Sequence, residues 1–326
     1  MHKEETRLIN VALYGSNGHQ IHNSLVAHPF ARLVAAAEFP QGELPASLRD
    51  DGNIRYYQSL DQLLKDPRVD LVSLCSPKRS NQARDAIRAL LAGKHVFAEK
   101  PCAMDEADLD EILRVSKQTG RFFREMADTA FQQPYYAMRR IVLQGRIGRV
   151  IQVVAGKSYP YHEKRPQDEE VDGGLIEQCA IHAIRFIEHV ASVRIQSIHS
   201  METSAGNPLE GGGLRMAACL MMSLEGGGLA SVSANYLNPR GTCTWGYETL
   251  RIFGSLGMVE STRGGTLTRL VIGDTDHGAL DTSVPGLNYL DSYLKTILGE
   301  GEMPLTLQEE LSPTRWVIRA KRALLP

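Results

Sequence analysis

The sequence predicts an α/β protein. An N-terminal doubly wound parallel sheet is expected over residues 1–125, followed over 126–326 by an α+β domain built on a large, open, mostly antiparallel sheet. Three observations predict this. Up to about residue 125, short apolar β-type runs alternate with helical segments, as they do where helices cover both faces of a parallel sheet. Beyond that point the runs lengthen and follow one another across closely spaced glycine turns, the pattern of a sheet with one exposed face. The length, 326 residues with 43% hydrophobic and 23% charged, suits two globular domains.

In chain order, "LINVALYG", "LVAAAE", "VDLVSLCSP" and "KHVFAEKP" read as the strands of the first domain. The stretches "NQARDAIRALLAG" and "DEADLDEILRVSKQTG" read as helices between them. In the first of these, Ala86, Ile87, Leu90 and Leu91 recur at helical spacing, and Gly93 stands where the helix should stop. The second domain opens with the helical "PYYAMRRIVLQGRIG" and the strand "RVIQVVAGKSY". After a further helix come the strands "RMAACLMMSL", "GLASVSANYL", "ETLRIFGSLGMVES" and "TLTRLVIG". The last segment, "QEELSPTRWVIRAKRALL", is an amphipathic helix that can pack back on the first domain, and no internal repeat or low-complexity linker interrupts the chain.

Charge narrows the function classes. The 36 basic and 38 acidic residues give a net charge of -2, and no basic run of five occurs, so neither nucleic acid nor an anionic membrane is an expected partner. Five cysteines, an odd number without a CxxC pair, fit reduced thiols in a cytoplasmic protein. The start "MHKEETRLINVALYG" is charged and runs straight into a strand, which leaves no room for a signal peptide, and no apolar stretch reaches the ~20 residues of a membrane span. A soluble, cytoplasmic protein with a small-molecule partner is the expectation.

The stretch "VALYGSNGHQIH" follows the first strand, where a dinucleotide-binding fold places G-x-G-x-x-G so that backbone can approach a pyrophosphate at a helix N-terminus. Gly15 takes the first position. Asn17 and Gln20 take the second and third, with Gly18 between them, and Asn17-Gly18 can still form a tight turn. Gly15, Ser16, Asn17, Gly18, His19 and Gln20 are therefore candidate cofactor-binding residues, a plain strand-to-helix turn being the alternative. Glu38 ends the second strand near the spacing at which a carboxylate accepts hydrogen bonds from the adenosine ribose hydroxyls. It would also repel a 2'-phosphate, so NAD is expected rather than NADP. A solvent-facing strand-end glutamate is the alternative there.

The run "GKHVFAEKP" raises a separate question, because an apolar strand ends on two opposite charges and a proline that cannot continue a sheet. A surface salt bridge would explain a lone Glu-Lys doublet. Its surroundings suggest more. "VDLVSLCSP", "AIRALLAGKHVFAEKP", "GGLIEQCAIHAI" and the late "LRIFGSLGMVE" together resemble the Gfo/Idh/MocA family of nicotinamide-dependent sugar and polyol oxidoreductases, over nearly the whole chain. The most specific part is AGKHV followed by EKP.

The resemblance implies that the first domain is a Rossmann fold with Lys100 at the carboxyl end of a strand, beside nicotinamide and substrate, in a Lys-Pro peptide that is commonly cis. Lys100 is then catalytic, donating to a substrate hydroxyl and stabilising the alkoxide that develops as hydride leaves. Ser76 and Pro77 match the family's Thr-Pro loop near the cofactor, and Glu99 is expected to orient the nicotinamide side. The usual histidine after that loop is replaced by Asn81 or Gln82, neither of which titrates; Gln82 joins the cofactor set. In "DGGLIEQCAIHAIRF" the family's Asp and His, four residues apart, correspond to Gln178 and His182, and Arg185 stands where a second Asp often lies. Spacing i, i+4 puts the pair on one helical face. His182 is the candidate general acid/base, a structural histidine being the alternative.

Cys179, His182 and His189 have some metal-ligand spacing, but no other Cys/His pair completes four ligands, so no metal is expected. Substrate contacts are expected from Tyr161 and Arg165 in "KSYPYHEKRPQDEE", where Lys157 and His162 also offer donors, together with Lys100, Gln178 and His182. The implied activity is NAD(P)-dependent hydride transfer to or from a secondary alcohol or ketone of a sugar, sugar derivative or cyclitol. A homodimer or homotetramer through the C-terminal sheet is the implied assembly. The rival reading is a catalytically silent, cofactor-bound sugar sensor with a protein partner. The missing Asp and His and the degenerate glycine loop favour it, while the retained Lys100 and His182 favour the enzyme.

Overall fold

A computed structural model describes residues 7–325, and the chain forms two compact units. The first comprises the chain up to Met126 together with residues 170–172 and 289–307; the second comprises 127–169, 173–288 and 308 onward.

The first unit is a six-stranded parallel sheet of β1 (Ile9–Tyr14), β2 (Ala31–Ala37), β3 (Arg55–Tyr57), β4 (Leu71–Leu74), β5 (His95–Ala98) and β6 (Phe123–Glu125), in the order β3-β2-β1-β4-β5-β6. The strand order reverses between β1 and β4, and ligands of such sheets bind outside the carboxyl ends of the strands at that point. Every residue of β4 and β5 is buried, as a parallel sheet covered on both faces requires. The helix Gln82–Leu91 buries Ala83, Ala86, Ala89 and Leu90, and the left-handed Gly93 follows its end. The helix Glu106–Thr119 starts at Asp105, whose side chain accepts from Ala107 N at 2.7 Å, and stops at the left-handed Gly120. A later segment, the helix Tyr289–Leu298, also belongs to this unit. Tyr293 Oη lies 2.9 Å from Val96 O and 2.7 Å from Phe122 O, which ties the helix to β5 and to the entry of β6.

The second unit is an eight-stranded sheet of β7 (Val150–Ser158), β8 (Ile195–Thr203), β9 (Ala217–Leu224), β10 (Leu229–Asn235), β11 (Tyr247–Gly254), β12 (Gly257–Thr262), β13 (Leu267–Ile272) and β14 (Thr275–Gly278), in the order β14-β13-β12-β11-β7-β10-β9-β8. Among the described residues of this sheet, β7 and β10 form its one parallel pair of strands. Val153, Ala155, Leu220, Met222, Val232 and Ile252 point to its buried face, against the helical segment between Leu175 and Val190. On the other face Val154, Ser231 and Met221 are cross-strand neighbours, with Val154 and Met221 exposed. Both sheets expected from the sequence are therefore present.

The sequence reading missed β3, β6, β8 and β14. β3 and β6 are three-residue strands that carry charges and no apolar run. In β8 a register shift between Ile195 and Ser197 breaks the period-2 alternation that would have marked it.

Candidate active site

In the first unit the loop after β1 is shaped by two close approaches. A Cβ on Gly15, whose φ is +68°, would lie 2.0 Å from Cys75 O, and one on Gly18, at φ +133°, would lie 2.5 Å from Glu99 Cγ. Glycine is thus required at both positions by space as well as by backbone conformation. The helix expected to open here is reduced to a single 3₁₀ turn, His22–Leu25. The helix N-terminus expected from the sequence is therefore not formed: the turn is too short to carry a helix macrodipole, so an anion here would rely on the loop itself.

The side chains that follow divide into outward and inward groups. Ser16 and His19 are exposed. Gln20 turns inward, its amide donating to Tyr14 O, Gly15 O and Ser73 O at 2.9–3.1 Å while its Oε1 accepts from Ser73 Oγ at 2.6 Å. Gln82 is fully buried; its amide donates to Leu74 O and Glu99 O at 2.9 Å, and its Oε1 accepts from Ser76 N at 2.8 Å. Ser76 Oγ donates to Asp85 Oδ2 at 2.9 Å. Gln20, Gln82 and the Ser76 side chain therefore brace the loops at the carboxyl ends of β1 and β4, leaving Pro77 exposed. Asn17 Nδ2 donates to Pro77 O at 3.3 Å and to Val171 O at 2.5 Å, linking the two loops. Glu38 follows β2 as an exposed residue in the left-handed region, and its Oε1 accepts from Tyr14 Oη at 3.4 Å.

Glu99 joins the glycine loop to Lys100. Its Oε2 accepts from His19 N at 2.6 Å and lies 3.0 Å from His19 Nδ1, while its Oε1 accepts from Lys100 N at 3.0 Å and stands 3.9 Å from Lys100 Nζ. Burial alone would raise the Glu99 pKa. The His19 hydrogen bond and the charges of Lys100, His19 and Arg79 outweigh it and hold the carboxyl down at about 2. Lys100 is itself buried, and its peptide bond to Pro101 is cis.

In the second unit the segment carrying Gln178 and His182 is wound unevenly. Leu175–Ala180 and Phe186–Val190 are π-helical and flank a single α-helical stretch, Ile181–Arg185. Such insertions are frequent at functional sites because they re-aim side chains. From Gly173 to Ala191 every residue is buried except Gln178 and His182. The two residues matched to the family's Asp and His positions are thus the two of this segment that are not fully buried.

Around them stand Tyr159 and Tyr236, which the sequence reading did not name; Arg165, Lys157, His162 and Tyr161, which it did, belong to the same unit. Tyr159 Oη lies 3.2 Å from His182 Nε2, and Tyr236 Oη donates to Gln178 Oε1 at 3.4 Å. The buried Arg165 places its guanidinium carbon 3.8 Å from the centroid of the Tyr236 ring. Lys157 pairs with Glu248 and sits 4.8 Å above the Tyr159 ring. His162 stacks on Trp245 at 5.7 Å, and Tyr161 is half-buried. Cys179 is buried, its Sγ 3.6 Å from Lys157 O. Tyr159 and Tyr236 carried no spacing signal: each directly follows its strand, β7 or β10, whose parallel register sets Ser158 opposite Asn235.

Glu177, beside Gln178, is buried and has its pKa pushed up to about 8 by that burial, with Glu169 and Glu202 adding to the rise and Lys321 and Arg322 opposing it. The folded state thus holds a proton that the unfolded chain gives up above its ordinary value of 4.5. The associated stability is complete below that value and is lost as pH rises through about 8. Glu177→Gln is expected to match the native protein near its acid limit and to exceed it in alkaline solution by on the order of 2–4 kcal/mol. Thermal melts from pH 4.5 to 9 check this: parallel curves for the two proteins would contradict it.

Residues 9–126 match the NAD-binding Rossmann fold of the Gfo/Idh/MocA oxidoreductase family, and residues 135–260 match that family's C-terminal domain. The bovine trans-1,2-dihydrobenzene-1,2-diol dehydrogenase is 29% identical over 136 residues, 41% of this chain and 40% of the relative. The scyllo-inositol 2-dehydrogenase (NAD(+)) of Bacillus subtilis is 24% identical over 222 residues, 67% of this chain and 64% of the relative. The chain thus spans two fifths to two thirds of the length of these curated relatives. A solved levoglucosan dehydrogenase in complex with NADH and levoglucosan has the same fold, with a TM-score of 0.79, 16% identity and 97% of each chain covered.

Proposed function

The chain belongs to the Gfo/Idh/MocA oxidoreductase family, and from that premise we propose that it is an NAD-dependent dehydrogenase transferring hydride between nicotinamide C4 and a secondary alcohol of a sugar, sugar derivative or cyclitol. The observation that carries the proposal is Glu99. A single ionised, buried carboxylate holds both the glycine loop that would take the dinucleotide and the backbone of Lys100. The activities of the relatives, on a cyclic diol and on an inositol, support a cyclic secondary alcohol as substrate.

The residues fit a dinucleotide on one structural ground: glycine is the residue that the space at positions 15 and 18 admits, beneath the exposed edge of the loop. When bound, the nicotinamide accepts or supplies the hydride. Lys100 donates a hydrogen bond to the reacting oxygen, where it favours developing alkoxide over neutral alcohol. His182 takes the hydroxyl proton in the oxidation direction and returns it in reduction. Gln178 and Arg165 offer the substrate neutral and cationic donors, and Tyr161 a hydroxyl. Glu38 would accept hydrogen bonds from the adenosine ribose hydroxyls. The exposed row of Val154 and Met221 supports assembly into a homodimer or homotetramer through the open sheet face.

Production of NADH on exposure to a panel of sugars and cyclitols tests the function; binding of sugar and NAD without turnover would favour the silent sensor. Glu38 also sets a cofactor preference. NAD is expected to bind roughly tenfold more tightly than NADP, because the 2'-phosphate meets a carboxylate, and Glu38→Ala should narrow that gap. Calorimetric titration with both dinucleotides checks it, and equal native affinities would remove Glu38 from the ribose site.

A further inference from the structure

We propose that Trp245, backed by His162, forms a subsite for a second ring, so that the substrate is a glycoside or similarly ring-substituted sugar or cyclitol rather than a free monosaccharide. The choice of a sugar-type ligand rests on the dehydrogenase reading above; the aromatic subsite rests on the geometry that follows.

Trp245 is one of two tryptophans in the chain and is 58% exposed. An indole left in water gives up the burial that such a side chain normally gains, unless something covers it part of the time. Its position is fixed. His162 stacks against it at 5.7 Å with 26° between the planes, and the Tyr159 ring approaches at 6.0 Å. The loop before it is held by Asn238 Nδ2, which donates to Thr244 O at 2.6 Å, and by Thr242 Oγ1, which donates to Asn238 Oδ1 at 3.1 Å. Cys243, two residues before Trp245, adopts a left-handed conformation at φ +53°, which a β-carbon makes costly and which the loop maintains. A rigid indole with an open surface is suited to the apolar C–H face of a pyranose or to an aromatic ring, and it discriminates by shape and area rather than by charge.

Tyr159 determines which part of the ligand this is. It is buried, its Oη lies 3.2 Å from His182 Nε2, and its ring is next to Trp245. The indole is therefore one aromatic ring removed from the proposed base. A hydroxyl reacting at His182 belongs to one ring, and the group stacked on Trp245 belongs to its neighbour.

In the full-length Trp316→Phe protein Trp245 is the sole indole, and its emission reports the subsite directly. The probes are the methyl and phenyl β-glycosides of glucose, galactose, mannose and xylose. For at least one sugar, the phenyl glycoside is expected to saturate the emission change at roughly three- to tenfold lower concentration than the methyl glycoside. In Trp245→Ala, followed by calorimetry, that ratio should fall to about one, the transfer advantage of the second ring having lost its partner. Emission unmoved by every phenyl glycoside, a ratio that persists in Trp245→Ala, or emission that follows only protein dilution and so marks a contact between subunits, would overturn the subsite. The two readings fail separately. Glycoside binding at Trp245 with no NADH formed removes the dehydrogenase and keeps the subsite, whereas NADH formation from free monosaccharides with Trp245 silent does the reverse.

Discussion

Lys100→Met is expected to lower turnover about 10²–10³-fold while leaving NAD affinity nearly unchanged, because an oxyanion-stabilising donor acts mainly on charge that exists in the transition state. Methionine keeps much of the side-chain length at a position where Lys100 is buried, so the loss is of charge and donor rather than of packing. The pattern to look for is a fall in kcat and kcat/KM together, with calorimetry showing intact cofactor binding. Loss of NAD binding with turnover preserved per bound complex would instead place Lys100 in the cofactor site alone.

The second large effect is expected at Glu99. Its two oxygens accept from His19 N and Lys100 N, so Glu99→Gln must turn an amide N–H₂ toward one of these donors. It also removes a negative charge that balances Lys100, His19 and Arg79. A buried donor left facing a donor, together with the loss of that charge, should cost about 2–4 kcal/mol of stability and weaken NAD binding through the loosened loop. The pH dependence gives a second readout. The folded pKa of about 2 lies below the ordinary 4.5, so the stability Glu99 contributes is present above 4.5 and is lost as pH falls through about 2. Native protein should therefore destabilise over that acid window more steeply than Glu99→Gln. Equal acid slopes in the two proteins would mean that the carboxylate is not held ionised by the loop.

The legible part of this site was the part fixed by local pattern. "AGKHVFAEKP" placed Lys100 just past the end of a buried parallel strand, and Gln178 and His182, four residues apart, are the two half-buried residues of an otherwise buried segment. Such patterns survive in one dimension because strand burial and helical facing depend on neighbours a few residues away. Gln20 and Gln82 matched motif positions, yet their amides turn into the sheet, where each satisfies carbonyls that the strand ends leave open. Tyr159, Tyr236 and Trp245 gave no signal in advance, because tertiary pairing brings them to His182, Gln178 and His162 across 23, 58 and 83 residues respectively. The helix after the glycine loop failed for a local reason that only the backbone shows: one 3₁₀ turn of four residues stands in its place.

The central claim is that hydride passes between nicotinamide and a ring carbon bearing oxygen, and incubation with C4-deuterated NADH and a panel of ketoses and cyclic inososes tests it most directly. Mass spectrometry of the products should show one alcohol carrying a single deuteron on the former carbonyl carbon, formed by the native protein and lost in Lys100→Met. NADH that binds with ordinary affinity yet gives no deuterated alcohol from any ketone would contradict the claim and leave the chain a cofactor-bound sensor.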